Sequence, residues 1–334
     1  MKAVAYRQCL PIADVQSLVD IELPSPGIGE HDLLVAVRAV SVNPVDTKVR
    51  RGVAPADGEW KMLGWDVAGE VVEVGSAVQG FALGDRVWYA GSIARPGGNS
   101  ELHAVDARIV GKMPSTASFA QAAALPLTAI TAWEILFDRL GLQADSTGTL
   151  LVIGAAGGVG SILVQLARQL TGLTVVGTAS RPETQAWLEE LGAHCVIDHS
   201  RPLAGGLLAA GFAEADYVVS LNQTDRHFAG IVELIAPQGK FALIDDPASL
   251  DVVSLKRKSV SVHWELMFTR SLFGTPDMAK QGELLNAVAQ LVDAGRVRTT
   301  LAEHFGRIDA ANLRRAHALL ESGRARGKIV LENF

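Results

Sequence analysis

The stretch from Leu150 to Gln165, LLVIGAAGGVGSILVQ, constrains the fold of this chain more than any other. Its first four residues are all apolar, which is typical of a parallel strand that is covered on both faces. The glycines that follow let the backbone turn sharply and approach a ligand closely. Apolar residues then recur at helical spacing, so the turn opens a helix whose free N–H groups and dipole favour an anion. The stretch predicts a strand–turn–helix unit that holds the pyrophosphate of a dinucleotide.

The residues after this turn decide its interpretation, because a glycine turn alone is a weak signal. Ala155 stands in place of the first glycine of the G-x-G-x-x-G pattern, and a turn that only packs closely would look similar. Five further apolar strand candidates follow, with helical segments between most of them, at residues 173–180, 194–198, 215–221, 239–245 and 259–266. Six strands with helical crossovers predict an α/β fold with a doubly wound parallel Rossmann sheet, which favours dinucleotide binding.

The composition limits the class of protein. With 334 residues, of which 49% are hydrophobic and 20% charged, the chain has room for two domains and a large core. A net charge of −6 argues against nucleic acid as a partner. No apolar run approaches the roughly 18 residues of a membrane span, and the first residues lack the apolar core of a signal peptide. Because Cys9 and Cys195 are the only cysteines, we expect a cytoplasmic protein with reduced thiols and no membrane partner.

Two domains are expected, one of them discontinuous. The first third of the chain is rich in strand candidates punctuated by glycine and proline, which predicts an irregular β-barrel. These candidates are residues 33–42, 69–75, 84–90 and 101–110. Residues 119–137 read as two helices, and Pro126 between them marks the junction with the dinucleotide-binding unit. The tail after the sixth strand is too short for a domain, so we assign 1–125 with 270–334 to the barrel and 126–269 to the Rossmann unit.

Four motifs, in this order, resemble those of the medium-chain dehydrogenase/reductase superfamily, and the resemblance covers essentially the whole chain. They are Asn43-Pro44-Val45-Asp46, Leu63–Gly69 (LGWDVAG), Ala124–Thr128 (ALPLT) and Ala155–Gly160 (AAGGVG). The chain is most similar to the zinc-independent quinone oxidoreductase branch and, within it, to bacterial proteins often labelled zinc-type alcohol dehydrogenase-like. The resemblance implies a GroES-like barrel beside the Rossmann domain and a homodimer. In such a dimer the sixth Rossmann strand pairs with its two-fold mate and protects the open edge of the sheet.

The zinc-type label conflicts with the residues. Zinc alcohol dehydrogenases of the superfamily place a cysteine ligand where this chain has Asn43, and a histidine ligand where it has Trp65. Their structural zinc lobe needs four cysteines, whereas residues 89–108 contain none. A catalytic zinc ion needs about three protein ligands, and none of the eight histidines forms a pair at ligand spacing. Asp46 and Asp66 alone could not hold zinc tightly, so we expect no zinc in this protein.

The resemblance implies hydride transfer from a reduced nicotinamide to a quinone or an α,β-unsaturated carbonyl. An alcohol or ketone needs strong polarisation of its oxygen, which zinc normally supplies. A conjugated acceptor already spreads charge onto its oxygen, so a few hydrogen-bond donors suffice. Two alternatives stay open: an alcohol dehydrogenase or aldehyde reductase, and an NADPH-binding redox sensor with little turnover.

Four residues of the barrel are candidates for substrate contact and catalysis. The Asn43 amide can donate to an oxyanion or a ribose hydroxyl, although an Asn-Pro turn needs no such role. Asp46 is expected to orient its neighbours. Lys48 stands where many quinone oxidoreductases carry tyrosine, and it could stabilise an enolate or relay a proton, or simply form a surface ion pair. Trp65 is a candidate wall of the substrate pocket, or plain packing.

The end of the second Rossmann strand favours NADPH over NADH. NAD-dependent enzymes place an acid there, whereas this chain has Ser180 and Arg181, and an arginine can pair with a 2′-phosphate. The lysine and tyrosine that often complete this site in related reductases correspond to Thr184 and His199. The predicted cofactor contacts are Thr128 at the nicotinamide end, Ala156, Gly157, Gly158 and Val159 at the phosphates, Ser180, Arg181 and His199 at the ribose, and Leu221 and Ile244 at the ends of strands four and five.

Overall fold

The computed structural model describes all residues from 1 to 334 and divides them into two compact units. One unit comprises Met1–Ile130 with Phe268–Phe334, and the other is the continuous stretch Thr131–Met267. The strands are β1 (Lys2–Tyr6), β2 (Val19–Glu22), β3 (Asp32–Val42), β4 (Lys61–Met62), β5 (Val67–Val74), β6 (Arg86–Tyr89), β7 (Leu102–Asp106), β8 (Gly111–Lys112), β9 (Thr149–Ile153), β10 (Thr174–Thr178), β11 (Cys195–Ile197), β12 (Ala215–Ser220), β13 (Ile235–Leu243), β14 (Ser261–Trp264), β15 (Leu301–His304) and β16 (Lys328–Glu332). The helices are α1 (Pro44–Gly52), α2 (Phe119–Ala123), α3 (Pro126–Trp133), α4 (Gly158–Leu170), α5 (Pro182–Glu190), α6 (Leu203–Ala209), α7 (Thr224–Leu234), α8 (Thr269–Phe273), α9 (Lys280–Asp293) and α10 (Ala310–Glu321).

The continuous unit is built on one parallel sheet of six strands. Their order is β11-β10-β9-β12-β13-β14, with β9 and β12 as central neighbours. All six predicted strands are therefore present, and the doubly wound topology is confirmed. The chain runs from β9 to β10 on one side and later to β12 on the other, so the order reverses at β9. A reversal of this kind opens a crevice at the carboxyl ends of the two central strands, which is where ligands bind in such sheets.

The discontinuous unit contains two further sheets. Three strands form the antiparallel sheet β2-β1-β4, and seven form a second sheet in which β3 is central. One edge of β3 is shared, because β7 pairs with its first half at Asp32–Ala36 and β16 with its second half at Ala39–Val42. The last strand of the chain is thus inserted beside the end of β3, where α1 begins. This insertion brings residues near 328 next to residues near 43.

Two local structures differ from the sequence predictions. No helix was predicted after residues 33–42, but the Asn43-Pro44 step begins α1 with proline in its first turn, where its missing N–H costs nothing. Asp46 supports this start by accepting the Asn43 backbone N–H at 2.7 Å. The predicted strand at 101–110 ends early, because Asp106 caps a 3₁₀ helix over Ala107–Ile109 by accepting the Arg108 N–H.

The apolar stretch Phe119–Arg139 has two helices with Pro126 at the break, as predicted, followed by an unforeseen π-helical segment over Glu134–Arg139. By length and composition this stretch could cross a membrane, so the expectation that no apolar run approaches that length was wrong. However, 83% of its most apolar window is buried inside the protein. Such burial is typical of a core helix, because a membrane-spanning segment would present apolar side chains outward.

Candidate functional site

The glycine turn of the continuous unit lies at the carboxyl end of β9, where the strand order reverses. Gly154 has a φ of 77°, in the left-handed region that favours glycine. Its N–H donates to Thr178 Oγ1 at 3.2 Å, which ties the turn to the end of β10. A Cβ atom on Gly154 would lie 2.6 Å from Asn222 Oδ1, just after β12. The backbone angle therefore favours glycine at this position, and any larger residue would also have to displace the Asn222 side chain.

The helix that follows the turn packs unusually close to the strand. A Cβ atom on Gly160 would lie 2.3 Å from the backbone oxygen of Ala155, so only glycine lets α4 approach so closely. Gly157 caps α4 without a side chain, and the first N–H groups of a helix have no intrahelical acceptors. The four residues predicted to face phosphates are all partly exposed: Ala156, Gly157, Gly158 and Val159. The start of α4 can therefore accept an anion such as a pyrophosphate.

The end of β10 carries a cation and no acid. Ser180 is exposed and Arg181 is partly exposed, and neither Ala179 nor Ser180 is acidic. Glu183, in the first turn of α5, forms an ion pair with Arg181 at 3.4 Å. Both side chains are substantially exposed to solvent, and such pairs contribute little stability. An incoming anion can therefore compete with Glu183 for the guanidinium.

A small cavity of about 30 Å³ adjoins the glycine turn, lined by Ile153, Gly154, His199, Asn222, Gln223 and His227. The rings of His199 and His227 meet edge to face with centroids 6.0 Å apart. Burial lowers the pKa of both histidines, so both are neutral at pH 7. The Nδ1 atom of His199 is buried without a hydrogen-bond partner. His227 carries no local sequence signal, because only the position of α7 after β12 places it beside His199.

The predicted contacts Leu221 and Ile244 are half-buried at the carboxyl ends of β12 and β13. The Leu221 N–H donates to Ile153 O at 3.1 Å, and the Ile244 N–H donates to Ser220 O at 3.3 Å. These bonds extend the sheet by one residue at the crevice. Asp245 then fixes the start of α7 by accepting the Thr224 N–H at 2.9 Å. The predicted cofactor contacts of the continuous unit thus all lie at the carboxyl ends of the parallel strands.

A pair of buried carboxyl groups lies elsewhere in this unit, at the π-helical segment. Glu134 and Glu265 are both buried, and Arg139 donates to Glu265 Oε2 at 2.7 Å. Burial, together with the neighbouring Glu134 carboxyl group, raises the pKa of Glu265 to about 9. One proton is therefore retained by the pair at neutral pH, because two buried carboxylates in contact repel each other. No sequence signal indicated this pair.

The discontinuous unit contains a buried set of polar residues, Asn43, Asp46, Asp66 and Lys328, which we call the polar cluster. The Lys328 ammonium donates to Asp66 Oδ2 at 2.8 Å, to Val42 O at 3.1 Å and to Asn43 Oδ1. The Asn43 amide nitrogen donates to the same Asp66 oxygen at 2.8 Å. The second Asp66 oxygen accepts the Leu127 N–H at 2.7 Å. Every polar side chain of the cluster therefore has partners, as buried polar groups require.

Asp46 has a different environment from Asp66. Its two oxygens accept backbone N–H groups, from Asn43 at 2.7 Å and from Gly64 at 2.9 Å. Burial raises the pKa of Asp46 to about 7, while these hydrogen bonds and Lys328 oppose that rise. Burial also raises the pKa of Asp66, against the opposing effect of the Lys328 ammonium. Asp46 thus holds the Asn43 and Gly64 backbone segments together.

The other predicted residues of this unit differ in their access to a ligand. Asn43 is 1% exposed, and both donors of its amide bind internal acceptors, Asp66 and Trp65 O. Trp65 is also 1% exposed, donates to Ser92 O and packs edge to face on Phe268. Thr128 is buried and its hydroxyl donates to Leu125 O at 2.9 Å. Only the Lys48 side chain, on α1, faces solvent.

Comparisons with known proteins match both units. The family model for the alcohol dehydrogenase GroES-like domain matches residues 29–133, and that for a zinc-binding dehydrogenase matches residues 191–331. A zinc-type alcohol dehydrogenase-like protein of Staphylococcus epidermidis is 35% identical over 99% of both chains. A quinone oxidoreductase of Pseudomonas aeruginosa is 32% identical over 91% of both chains. A crystal structure from Rhizobium etli, provisionally described as a zinc-dependent alcohol dehydrogenase, is 59% identical, with a TM-score of 0.97 over 100% of this chain and 98% of that chain.

The zinc in these descriptions can be tested against the residues present. No group of three or more histidine, cysteine, aspartate or glutamate side chains is arranged to hold a metal ion. His103 is buried, with Nε2 at 2.9 Å from Pro96 O and Nδ1 at 3.0 Å from the Tyr89 hydroxyl. A carbonyl only accepts, so Nε2 carries the proton and both ring nitrogens are used. In the polar cluster an ammonium already lies between Asn43 and Asp66, so the side chains present do not fit a catalytic zinc ion.

Proposed function

The chain belongs to the medium-chain dehydrogenase/reductase superfamily, and on this premise we propose that it is an NADPH-dependent, zinc-independent reductase of quinones or α,β-unsaturated carbonyls. The observation that carries this proposal is the accessible glycine turn at the carboxyl end of β9. Gly160 allows α4 to begin close to the end of the strand. The backbone N–H groups at the start of α4 belong to residues that are partly exposed to solvent. A dinucleotide pyrophosphate is the anion that such a turn accommodates in a doubly wound sheet.

The preference for NADPH rests on the end of β10. An NAD-specific site needs a carboxylate there for the ribose hydroxyls, whereas Ser180 and Arg181 provide a hydroxyl and a guanidinium. Arg181 can bind a 2′-phosphate with two parallel hydrogen bonds once Glu183 is displaced. His199 and the newly found His227 add nitrogen atoms near the same crevice. We assign Ser180, Arg181 and His199 to the phosphorylated ribose.

The acceptor class follows from the chemistry that the discontinuous unit offers. Bound NADPH would supply a hydride to a carbon of the acceptor, and the chain's own part would be to stabilise the negative charge that forms on a conjugated oxygen. The polar cluster offers no open metal position to polarise a plain alcohol or ketone. Lys48 is a solvent-facing cation on α1 and can stabilise the enolate oxygen or deliver the proton. We assign Asn43 and Asp46 to holding the start of α1, and Thr128 and Trp65 to the buried interior of the same unit.

The turnover experiment is NADPH oxidation by chelator-treated protein with a simple quinone and a simple enone, each compared with an aldehyde. We expect oxidation with one of the conjugated acceptors and little with the aldehyde. An aldehyde or alcohol activity that appears only after zinc is added would refute the proposal in favour of an alcohol dehydrogenase. Tight NADPH binding without turnover on any acceptor would refute it in favour of a redox sensor.

Cofactor selectivity has its own test. Arg181→Gln removes the guanidinium, and we expect it to weaken NADPH binding about tenfold while NADH binding stays unchanged. Glu183→Gln removes the competing carboxylate and should tighten NADPH binding. Arg257→Gln is the matched control, because Arg257 is an exposed arginine on a 3₁₀ helix of the same unit. Equal losses for NADPH and NADH in Arg181→Gln would contradict the assignment.

The free edge of the parallel sheet and the two cysteines bear on the assembly and location of the protein. Strand β14 pairs only with β13 and leaves a free sheet edge, next to which Trp264 is 54% exposed. We infer a homodimer in which two such edges pair, because an exposed edge otherwise invites aggregation. Light scattering that gives the mass of one chain would contradict it. Cys9 and Cys195 are both unpaired, which supports a reducing compartment such as the cytoplasm.

A further inference from the structure

We propose that Lys328 is a positioning residue whose ammonium is a built-in cation for the polar cluster, holding Asn43 and Asp66 as a metal ion would otherwise hold them. The inference uses the proposed function only for its effect on turnover. Its structural part concerns the discontinuous unit alone. No motif pointed to Lys328, because it is the first residue of an ordinary strand, β16, in which three apolar residues follow it.

All three N–H donors of the Lys328 ammonium have a hydrogen-bond acceptor. Lys328 is 3% exposed, and an ammonium has three N–H donors and no acceptor. Three oxygens surround it: the Val42 carbonyl at 3.1 Å, Asp66 Oδ2 at 2.8 Å and Asn43 Oδ1. Carbonyl, amide and carboxylate oxygens are also the ligands that a hard metal cation takes. The Lys328 nitrogen therefore occupies the place where a metal ion would lie, and it binds the three oxygens that would serve as ligands of that ion.

The ammonium also fixes the orientation of the Asn43 amide. Lys328 can only donate and an ionised Asp66 can only accept, so the amide oxygen must face Lys328 and the NH₂ group must face Asp66. The NH₂ group accordingly lies 2.8 Å from Asp66 Oδ2 and 3.4 Å from Trp65 O. A flipped amide would place its NH₂ group against an ammonium. Without Lys328, one of the two constraints on Asn43 would be lost.

The same cation joins segments that are far apart in the sequence. Asn43 begins α1, Asp66 immediately precedes β5, and the Leu127 N–H at the start of α3 binds the other Asp66 oxygen. Lys328 arrives from β16, 262 residues beyond Asp66. Asp46 is the other charged side chain close to Lys328 and Asp66. A buried carboxylate that loses its cation is strongly destabilising, so Lys328 holds the whole arrangement by charge as well as by geometry.

Thermal unfolding with a double-mutant cycle tests this inference without cofactor or substrate. Lys328→Met leaves Asp66 buried without a cation, and we expect the Tm to fall by roughly 10 °C. Asp66→Asn combined with Lys328→Met removes both charges and should recover at least half of that loss. Lys240→Met is the matched control, because Lys240 lies on a strand and donates to the Leu140 carbonyl without a carboxylate partner. Its Tm should fall by much less.

The cycle has clear opposite outcomes. The inference would be overturned if the fall in Tm of the double variant equalled the sum of the falls in Lys328→Met and Asp66→Asn. An unchanged Tm for Lys328→Met would overturn it as well. If Lys328→Met fails to fold, a folded double variant supports the charge balance, and an unfolded one refutes it. Metal analysis gives a second readout: the wild type should hold no stoichiometric zinc after dialysis against zinc chloride. One zinc ion per chain, lost in Asp66→Asn, would show that the ammonium does not close the site.

Turnover separates positioning from simple stability. Lys328→Arg keeps the charge and should retain most of the Tm, while its larger planar head group shifts Asn43. We therefore expect kcat to fall about tenfold in this folded variant, with a smaller change in KM. An Lys328→Arg variant with full stability and unchanged kcat would leave Lys328 structural and refute positioning. If no variant and no wild type turns over, the proposed function fails, whereas non-additive Tm values would still establish the built-in cation.

Discussion

The close approach of α4 to the turn after β9 gives a prediction whose size can be worked out. Gly160→Ala adds one methyl group 2.3 Å from the Ala155 backbone oxygen, whereas ordinary contacts begin near 3.4 Å. The helix or the turn must therefore move by roughly 1 Å, and overpacking of this kind costs about 1–3 kcal/mol. Alanine also favours a helix over glycine by about 1 kcal/mol, which partly hides that cost.

A matched control removes the propensity effect. Gly205 lies in α6 of the same unit, has no positive φ, and a Cβ atom there would meet nothing within 4 Å. Gly205→Ala should therefore raise the free energy of unfolding by about 1 kcal/mol. The difference between the two alanine variants isolates the contact with Ala155, so we expect Gly160→Ala to be less stable than Gly205→Ala by about 1–3 kcal/mol.

Urea unfolding of both variants and a fluorescence titration with NADPH measure the two effects. A displaced helix N-terminus misdirects N–H groups that bind the pyrophosphate, so Gly160→Ala should bind NADPH at least tenfold more weakly. Gly205→Ala should bind it as the wild type does. If Gly160→Ala matched Gly205→Ala in both stability and affinity, the turn would neither be tightly packed nor hold the cofactor.

Two further predictions concern ionisable groups. Since the folded state keeps a Glu265 proton that the unfolded chain releases, stability should fall as pH rises from about 4.5 to about 9, by at most about 1.4 kcal/mol per pH unit. Glu265→Gln should flatten this dependence in urea unfolding at pH 6 and pH 8.5, and an unaltered slope would assign the proton elsewhere. Lys48→Met should lower kcat/KM for the best conjugated acceptor at least tenfold with NADPH affinity unchanged, and an unchanged kcat/KM would make Lys48 a surface residue.

The parallel sheet could be predicted because its signal is local. Each of its six strands is a short apolar run bounded by turn residues, and the right-handed crossover rule leaves few ways to connect them. The ends of the strands were less well defined, and β13 begins four residues before the predicted start at Gly239. The glycine positions also follow from local chemistry, because Gly154 has a positive φ and a Cβ atom on Gly160 would meet backbone atoms of Ala155.

The polar cluster could not be predicted because its signal is not local. Lys328 and Asp66 are brought together by the pairing of β3 with both β16 and β5, and neither residue is unusual in its own segment. Asn43 was identified from a motif, but its partners decide its role, since both amide donors bind inside the protein. Helix α1 was missed because an Asn-Pro pair is compatible with a turn as well as with a helix start.

The late position of Lys328 in the chain has a consequence for biosynthesis. The ribosome makes Asn43 and Asp66 first, then the whole continuous unit Thr131–Met267, and only afterwards the strand that carries the counter-ion. The continuous unit can therefore fold during translation, whereas the discontinuous unit has to wait for β16. Until that strand arrives, the growing polypeptide exposes the open edge of β3 and an acidic centre without its cation. We therefore expect the nascent N-terminal segment to be the part most open to aggregation before synthesis is complete.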